Sequence, residues 1–255
     1  MTADESDRNG SLVTQKTCSI IREVSRHGSL GVRLQDIAIS TNIARPTVHR
    51  ILSTLVKERF IKQNQAKRYV LGAELFEIGT IAPSPIQNIA PLRRLIQDLA
   101  DQTGDTTYLA IRRAERAFYI LRCEGEFPIR THYVEAGHSV PLVGSHCGHA
   151  LLSAMPVKKA EEIIRRSELT PGMFGAGNAE SLRNELAEFR AHGFCWATNV
   201  TFKGVAGIAA PILDRAGQGH LAISISTISA RLDRRRAAQI AKPLLATAEK
   251  IRAIV

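Results

Sequence analysis

The sequence has no unbroken apolar run of about 18 residues, the length a helix needs to cross a bilayer, so no transmembrane helix is expected. Residues 1–10 lack the apolar stretch of a secretory leader and are polar with mixed charge. That pattern argues against a signal peptide and predicts a disordered tail over 1–13 on a cytoplasmic protein. Cysteines are few and scattered, at Cys18, Cys123, Cys147 and Cys195, with no C-x-x-C pair. This spacing excludes a disulfide framework and a zinc ribbon and reads as reduced, mostly buried thiols. There is no G-x-S-x-G centre, no P-loop and no G-x-G-x-x-G turn, so the common signatures of hydrolases and nucleotide enzymes are missing. Internal repeats and low-complexity tracts are absent as well.

Acidic residues are also scarce, 24 against 34 Lys and Arg, for a net charge of +10. The imbalance is concentrated: residues 14–72 hold eleven Lys/Arg and three acids. A local positive field of this kind raises the concentration of a polyanion around it and speeds encounter. With 44% hydrophobic and 23% charged residues, the chain is globular, and 255 residues suit one or two domains.

Periodicity divides the chain. Ile20, Ile21 and Val24 mark a first helix ending near His27-Gly28, and Leu34, Ile37 and Ala38 a short second one, with a turn at Thr41-Asn42. Val48, Ile51, Leu52 and Leu55 fall at i, i+3, i+4 and i+7, the stripe of a third helix with Pro46 in its first turn. Residues 60–63 and 68–71 read as two strands joined through the polar link 64–67. Residues 73–90 are a linker, helical over 73–81 and broken at Pro83-Ser84-Pro85, which sets the domain boundary. Beyond it, 91–255 mixes strands and helices. Leu92, Leu95, Ile96 and Leu99 predict a helix stopping at Gly104. Strands are expected over 107–111, 117–123, 129–134, 205–213 and 220–227, and helices over 148–155, 157–166, 179–192 and 234–254, the last with Pro243 inside it. The pattern is that of an α+β domain with a mostly antiparallel sheet.

The third helix carries the functional argument. A helix fits the major groove of B-DNA when one side is apolar and anchored and the other offers donors to base edges and phosphates. Here Arg45, Thr47, His49, Arg50, Ser53 and Thr54 lie opposite the apolar stripe. Arg45, Thr47 and Arg50 occupy the first turns, where arginine meets guanine with two hydrogen bonds and threonine meets a phosphate or a thymine methyl. Lys67 and Arg68 on the hairpin reach the backbone or minor groove. A solvated basic face is the bland alternative; the hairpin and the concentrated charge favour DNA.

The residues that carry this pattern also resemble a known family. Leu34-Gln-Asp-Ile-Ala38, Arg45-Pro-Thr-Val-His-Arg-Ile-Leu52, Thr54-Leu55 and Arg68-Tyr-Val-Leu-Gly72 resemble the DNA-binding half of IclR-type regulators. In the second half, Pro141-Leu142, Gly148-His-Ala-Leu-Leu-Ser153, Glu185-Leu186 with Arg190, Gly193-Phe194, Gly204-Val205, Ile208-Ala-Ala-Pro-Ile212 and Ala222-Ile-Ser-Ile-Ser226 match in order. The resemblance implies a winged helix-turn-helix over 14–72 and a connecting helix. It also implies a GAF/profilin-like effector domain, assembled as a homodimer or dimer of dimers on a palindromic operator. The function it implies is a transcriptional regulator, acting as repressor, activator or both, governed by a small organic acid or aromatic metabolite; a repressor with no cofactor is the expectation here.

Carried over by position, the resemblance places the effector pocket at His146, Cys147, Ala197, Thr198, Asn199, Gly207, Ser224 and Ser226. Ile129, Val140 and Val205 form its walls, and His132 lies nearby. Ser224 and Ser226 alternate with Ile223 and Ile225 and so share one sheet face, and backbone N–H groups at a helix start near Gly148 suit an anion. The sequence departs from the family at His149, where lysine is common, at Thr198-Asn199-Val200, where acidic residues are common, and at Gly207, where cysteine is common. The competing readings are a hydrolase using Cys147 or Ser145 with a histidine such as His149, a metal sensor built on His146-Cys147-Gly148-His149, and a protein-interaction module that does not touch DNA. The first needs an oriented base and a third group; the second has at most three ligands and no evident fourth.

Overall fold

Ile20 and Val24, one helical turn apart, are fully buried on α1 (Leu12–Ser25) and fix how the first three helices pack. The structure, a computed structural model, describes residues 11–81, 86 and 88–255. Helix α1 opens inside the stretch expected to be a tail; residues 1–10 and the Pro83-Ser84-Pro85 break lie outside the described residues. Helix α2 (Leu34–Thr41) ends at Asn42, whose left-handed φ of 52° reverses the chain. Helix α3 (Arg45–Lys57) carries proline in its first turn and buries Val48, Ile51, Leu52 and Leu55. They join Ile20, Val24, Ile37 and Ile61 in one small core.

Strands β1 (Ile61–Gln63) and β2 (Tyr69–Leu71) pair antiparallel from Ile61 with Leu71 to Gln63 with Tyr69. Their link turns through Lys67 at φ 55°, and Asn64 Oδ1 accepts the Arg68 N–H at 3.0 Å. Val32 bridges to Tyr69 on the other side, so the hairpin is tied to the connection before α2. Helix α4 (Ala73–Ile81) follows and buries none of its residues.

The chain divides after Ser84 into two compact units. The second is built on one antiparallel sheet of six strands in the order β5-β4-β3-β8-β7-β6. Helix α5 (Ile89–Thr103) is capped by the Asn88 side chain and closed by Gly104. Next come β3 (Thr106–Arg113), β4 (Arg116–Cys123) and β5 (Ser139–Pro141). Helices α6 (His146–Ser153), α7 (Val157–Glu168) and α8 (Ala179–His192) precede β6 (Cys195–Thr198), β7 (Val205–Leu213) and β8 (Gly219–Ile228), and α9 (Arg234–Arg252) ends the unit. Helix α9 runs through Pro243 without interruption.

Strand alternation sends Leu109, Ile111, Ile208, Ala210, Ile223 and Ile225 to one face, where α5 and α9 cover them. Tyr108, Ala110, Ala209 and Ala222 go to the other, under α6, α7 and α8. Asp105, 1% exposed, clasps the α5 side by accepting from Arg231 at 2.9 Å and Arg236 at 2.7 Å. This is the α+β, GAF/profilin-like architecture that the resemblance implies.

One expected strand is absent. Residues 129–134 form no ladder, and the sheet edge is β5 instead, paired to Arg116, Ala117 and Phe118. The reason lies in side chains: the Tyr108 hydroxyl donates to the Thr131 carbonyl at 3.0 Å, and Thr131 and Val134 are buried against the sheet face rather than alongside its edge. Among the described residues, no helix is long and apolar enough to cross a membrane.

Candidate functional site

Two surfaces carry unsatisfied chemistry. The first is the outer side of α3. Arg45, His49, Arg50, Ser53 and Thr54 are exposed and Thr47 half-buried, while the opposite stripe is in the core. Ser53 and Thr54 bond back to the carbonyls one turn earlier, at 2.9 and 3.3 Å, so both hydroxyls retain acceptor capacity toward solvent. Lys67 stands exposed at the tip of the β1–β2 hairpin; Arg68 is half-buried, with Nη1 3.4 Å from the Gly31 carbonyl.

The second surface is the α6 side of the six-stranded sheet. Register places Ser226 between Thr106 and Gly207, and Ser224 between Tyr108 and Ala209; Gly207 in turn faces Ala197. The His146 ring lies flat on Gly207: a Cβ there would stand 2.8 Å from three ring atoms. His146 Nε2 is 3.2 Å from the Ala197 carbonyl, which can only accept, so the proton sits on Nε2. Burial lowers the His146 pKa to about 4, and the nearby His149 ring pushes the same way. The ring is therefore neutral, and its bare Nδ1 is buried with no partner, as is the Ser226 hydroxyl. An orphaned buried polar atom costs about 1–3 kcal/mol, so these two would gain from any group, water or ligand, that reached them with the complementary donor or acceptor.

Cys147 and His149 beside them do have partners. Cys147 donates to Ser224 Oγ at 3.1 Å, and burial pushes its thiol up to about 12. His149 lies between Glu185 Oε2 at 2.6 Å and the Val143 carbonyl at 3.0 Å. Tyr108, Tyr119 and Tyr133 pack ring to ring with centroids 5.0–6.0 Å apart.

Residues 14–65 match the family described as IclR helix-turn-helix domain, and residues 85–253 the one described as bacterial transcriptional regulator IclR C-terminal. The chain belongs to the IclR family of regulators. It is 30% identical over 212 residues to the glycerol operon regulatory protein of Streptomyces coelicolor, covering 81% of each chain. It is 25% identical over 201 residues to the HTH-type transcriptional regulator KipR of Bacillus subtilis, 78% of this chain and 79% of that one. A solved IclR transcriptional regulator from Alicyclobacillus acidocaldarius shares the fold at TM-score 0.77 and 23% identity, over 96% of this chain and 99% of that one. The Agrobacterium tumefaciens repressor BlcR shares it at TM-score 0.57 and 17% identity, over 95% and 96%.

The IclR family is one of transcriptional regulators, not enzymes, and the first unit of this regulator is its DNA-binding helix-turn-helix. The hydrolase alternative also fails on chemistry. Cys147 is a fully buried thiol, and Ser145 is occupied as the cap of α6, its Oγ accepting the Gly148 N–H at 3.1 Å. That same cap uses the N–H that the sequence offers to an anion. Among the described residues, no three His, Cys, Asp or Glu side chains come together to hold a metal.

The IclR-derived pocket positions are sorted by the fold. His146, Cys147, Ala197, Gly207, Ser224 and Ser226 gather on one sheet face; Val140 pairs with Ala117 at its far edge and Val205 begins β7 on the same side. Ile129 and His132 lie off that face: Ile129 is 56% exposed, and His132 is exposed beside Glu135. Both follow from the missing strand, since 129–134 has no two-residue alternation to turn them in. Thr198 pairs with Ala206, on the opposite face, and Asn199 takes φ 59° and accepts from the Gly204 N–H at 2.8 Å, a turn-builder rather than a pocket wall. Sequence reasoning misses the tyrosine cluster and Thr131. Tyrosine in a chain with only four is the available signal, but only the fold brings Tyr108, Tyr119 and Tyr133 together.

A cavity of about 760 Å³ opens elsewhere in this unit, between the β7–β8 hairpin and the end of α9. Its Arg252 is paired with Glu249, and none of its lining residues has an orphaned buried polar atom.

Proposed function

We propose that this regulator is a cytoplasmic repressor that binds a palindromic operator through α3 and the β1–β2 hairpin, and releases it when a small organic acid or aromatic metabolite occupies the α6 face of its second unit. The observation that carries the DNA-binding assignment is the two-sidedness of α3. Arg45, Thr47, His49, Arg50 and Ser53 stand opposite a stripe that is wholly in the core. Lys67 and Arg68 flank them as backbone contacts. A homodimer, or a dimer of such dimers, is supported by the apolar residues of α4 that this chain leaves uncovered, Phe76 at 76% and Ile81 at 83% exposure.

The effector reading rests on the paired orphans, His146 Nδ1 and Ser226 Oγ, beside Ala197, Gly207, Cys147 and Ser224. A ligand governs the operator only through different affinity for two arrangements of the dimer, transmitted through the 73–90 connection.

Salt titration tests the DNA face. Each cation that neutralises a phosphate contributes about −0.9 to the slope of log affinity against log salt. Arg50→Ala and Lys67→Ala should each weaken binding and flatten that slope, by roughly 0.9 for every phosphate left without its cation. Slopes identical to the parent would refute the assignment.

A further inference from the structure

Strand alternation hides a cation on the α6 face. Counted in twos from Tyr119, Leu121 and Cys123 share its side and Arg122 takes the other. The ladder runs differently: Leu109 pairs with Leu121 but Ala110 with Tyr119, so Ile120 is an extra residue, a bulge. Tyr119 packs on the α6 side, while Ile120, Leu121 and Cys123 all pack on the α5–α9 side. Arg122 therefore returns to the face of Tyr108, its direct partner across β3, in one row with Ser224 beyond it. Its side chain is only 11% exposed, at the rim of the three-tyrosine cluster.

The guanidinium already holds a carboxylate, and holds it badly. Glu124 places one oxygen 2.6 Å from Arg122 Nη2 and the other 2.5 Å from Arg130 Nη1. The first contact is a close ion pair, and the guanidinium also meets the Tyr108 hydroxyl, yet Arg122 Nε and Nη2, both buried, lack a partner at full hydrogen-bond geometry, as does the hydroxyl of Thr131, in the segment that covers this row. The Nε–Nη2 edge is one that a carboxylate meets with two parallel bonds. Glu124, pulled outward by Arg130, supplies no aligned bond there. Residues 124–138, which bear Glu124, Arg130 and Thr131, form no helix or strand, so no ladder needs to break for Glu124 to leave.

We propose that Arg122 anchors the carboxylate of the effector and that Glu124 is a resident competitor, displaced toward Arg130 when an acidic ligand docks on the Nε–Nη2 edge. Tyr133, the half-buried ring of the cluster, is the face on which an aryl group behind that carboxylate would pack, backed by the buried Tyr108 and Tyr119. This inference rests on the α6 face being the effector site and adds a charge anchor to it. The competitor sets a threshold: the ligand must displace an internal anion, so an uncharged analogue gains nothing from the arginine.

Calorimetric titration of the full-length protein with benzoate, and with its neutral counterpart benzamide, tests this. Glu124→Gln should bind benzoate about tenfold tighter than the parent or better, since the ligand's carboxylate then meets the guanidinium without competing against a resident anion. Benzamide should change little. Arg122→Gln should bind no benzoate. Equal benzoate binding by all three proteins, or none by Glu124→Gln, overturns the proposal. Should Arg122→Gln fail to fold, the benzoate-over-benzamide preference gained by Glu124→Gln decides alone. Benzamide binding as tightly as benzoate sinks the anchor but leaves the pocket standing, and the salt titration judges the operator reading independently.

Discussion

Burial keeps the His146 imidazole neutral, with a pKa near 4 against an ordinary 6.5, and this makes one residue a pH liability. Between those values the unfolded chain takes up a proton that the fold refuses. Stability is then complete above about pH 6.5 and falls as pH drops through the window toward 4, by about 3 kcal/mol for a shift of this size. Melting of the second unit should follow that course. His146→Asn, which can still donate to the Ala197 carbonyl but does not titrate, should flatten it. An unchanged pH profile in the variant would show that other groups dominate. Gly207 belongs to the same device. Only a residue without Cβ lets the ring lie on β7, which gives a physical reason for glycine at this position.

At the scale of elements, α3 separates stability from recognition by side. Leu52 is fully buried among Ile20, Val24 and Ile37, so Leu52→Ala should cost about 2–5 kcal/mol. That is comparable with the whole stability of a unit this size. It should abolish DNA binding together with the helical signal of the first unit. Ser53→Ala, one residue on and exposed, should leave melting within about 0.5 kcal/mol and alter operator affinity alone. If both variants lost folding equally, the two-sided reading of α3 would be wrong. The bulge in β4 shows the opposite relation between sequence and element. One inserted residue reverses the alternation, so the face of Arg122 could not be counted from the residues before it.

For the whole molecule the question is what covers α4. Phe76, Ile78 and Ile81 are exposed on it, and Leu12 and Val13 on α1. A second copy of the chain is the partner that the proposed palindromic operator would require. Phe76→Ser combined with Ile81→Ser should shift sedimentation toward monomer and weaken operator binding. The parent should protect two half-sites about one helical turn, or a multiple, apart. A double variant that sediments and protects DNA like the parent would place the interface elsewhere.

The sequence by itself determined the local elements and the first unit's two-sided helix, because a 3.6-residue apolar period, a proline in a first turn and a concentrated positive charge act within a few turns of chain. It also determined that Ser224 and Ser226 share a face, since a regular strand alternates without outside help. What tertiary structure alone decided was the composition of the second site. Ile129, His132, Thr198 and Asn199 were left off the α6 face, and Tyr108, Tyr119, Tyr133 and Arg122 brought onto it, by strand register, a bulge and a segment pinned through a tyrosine hydroxyl. Those are pairings between residues far apart in the chain, and no local pattern encodes which partner a strand will meet.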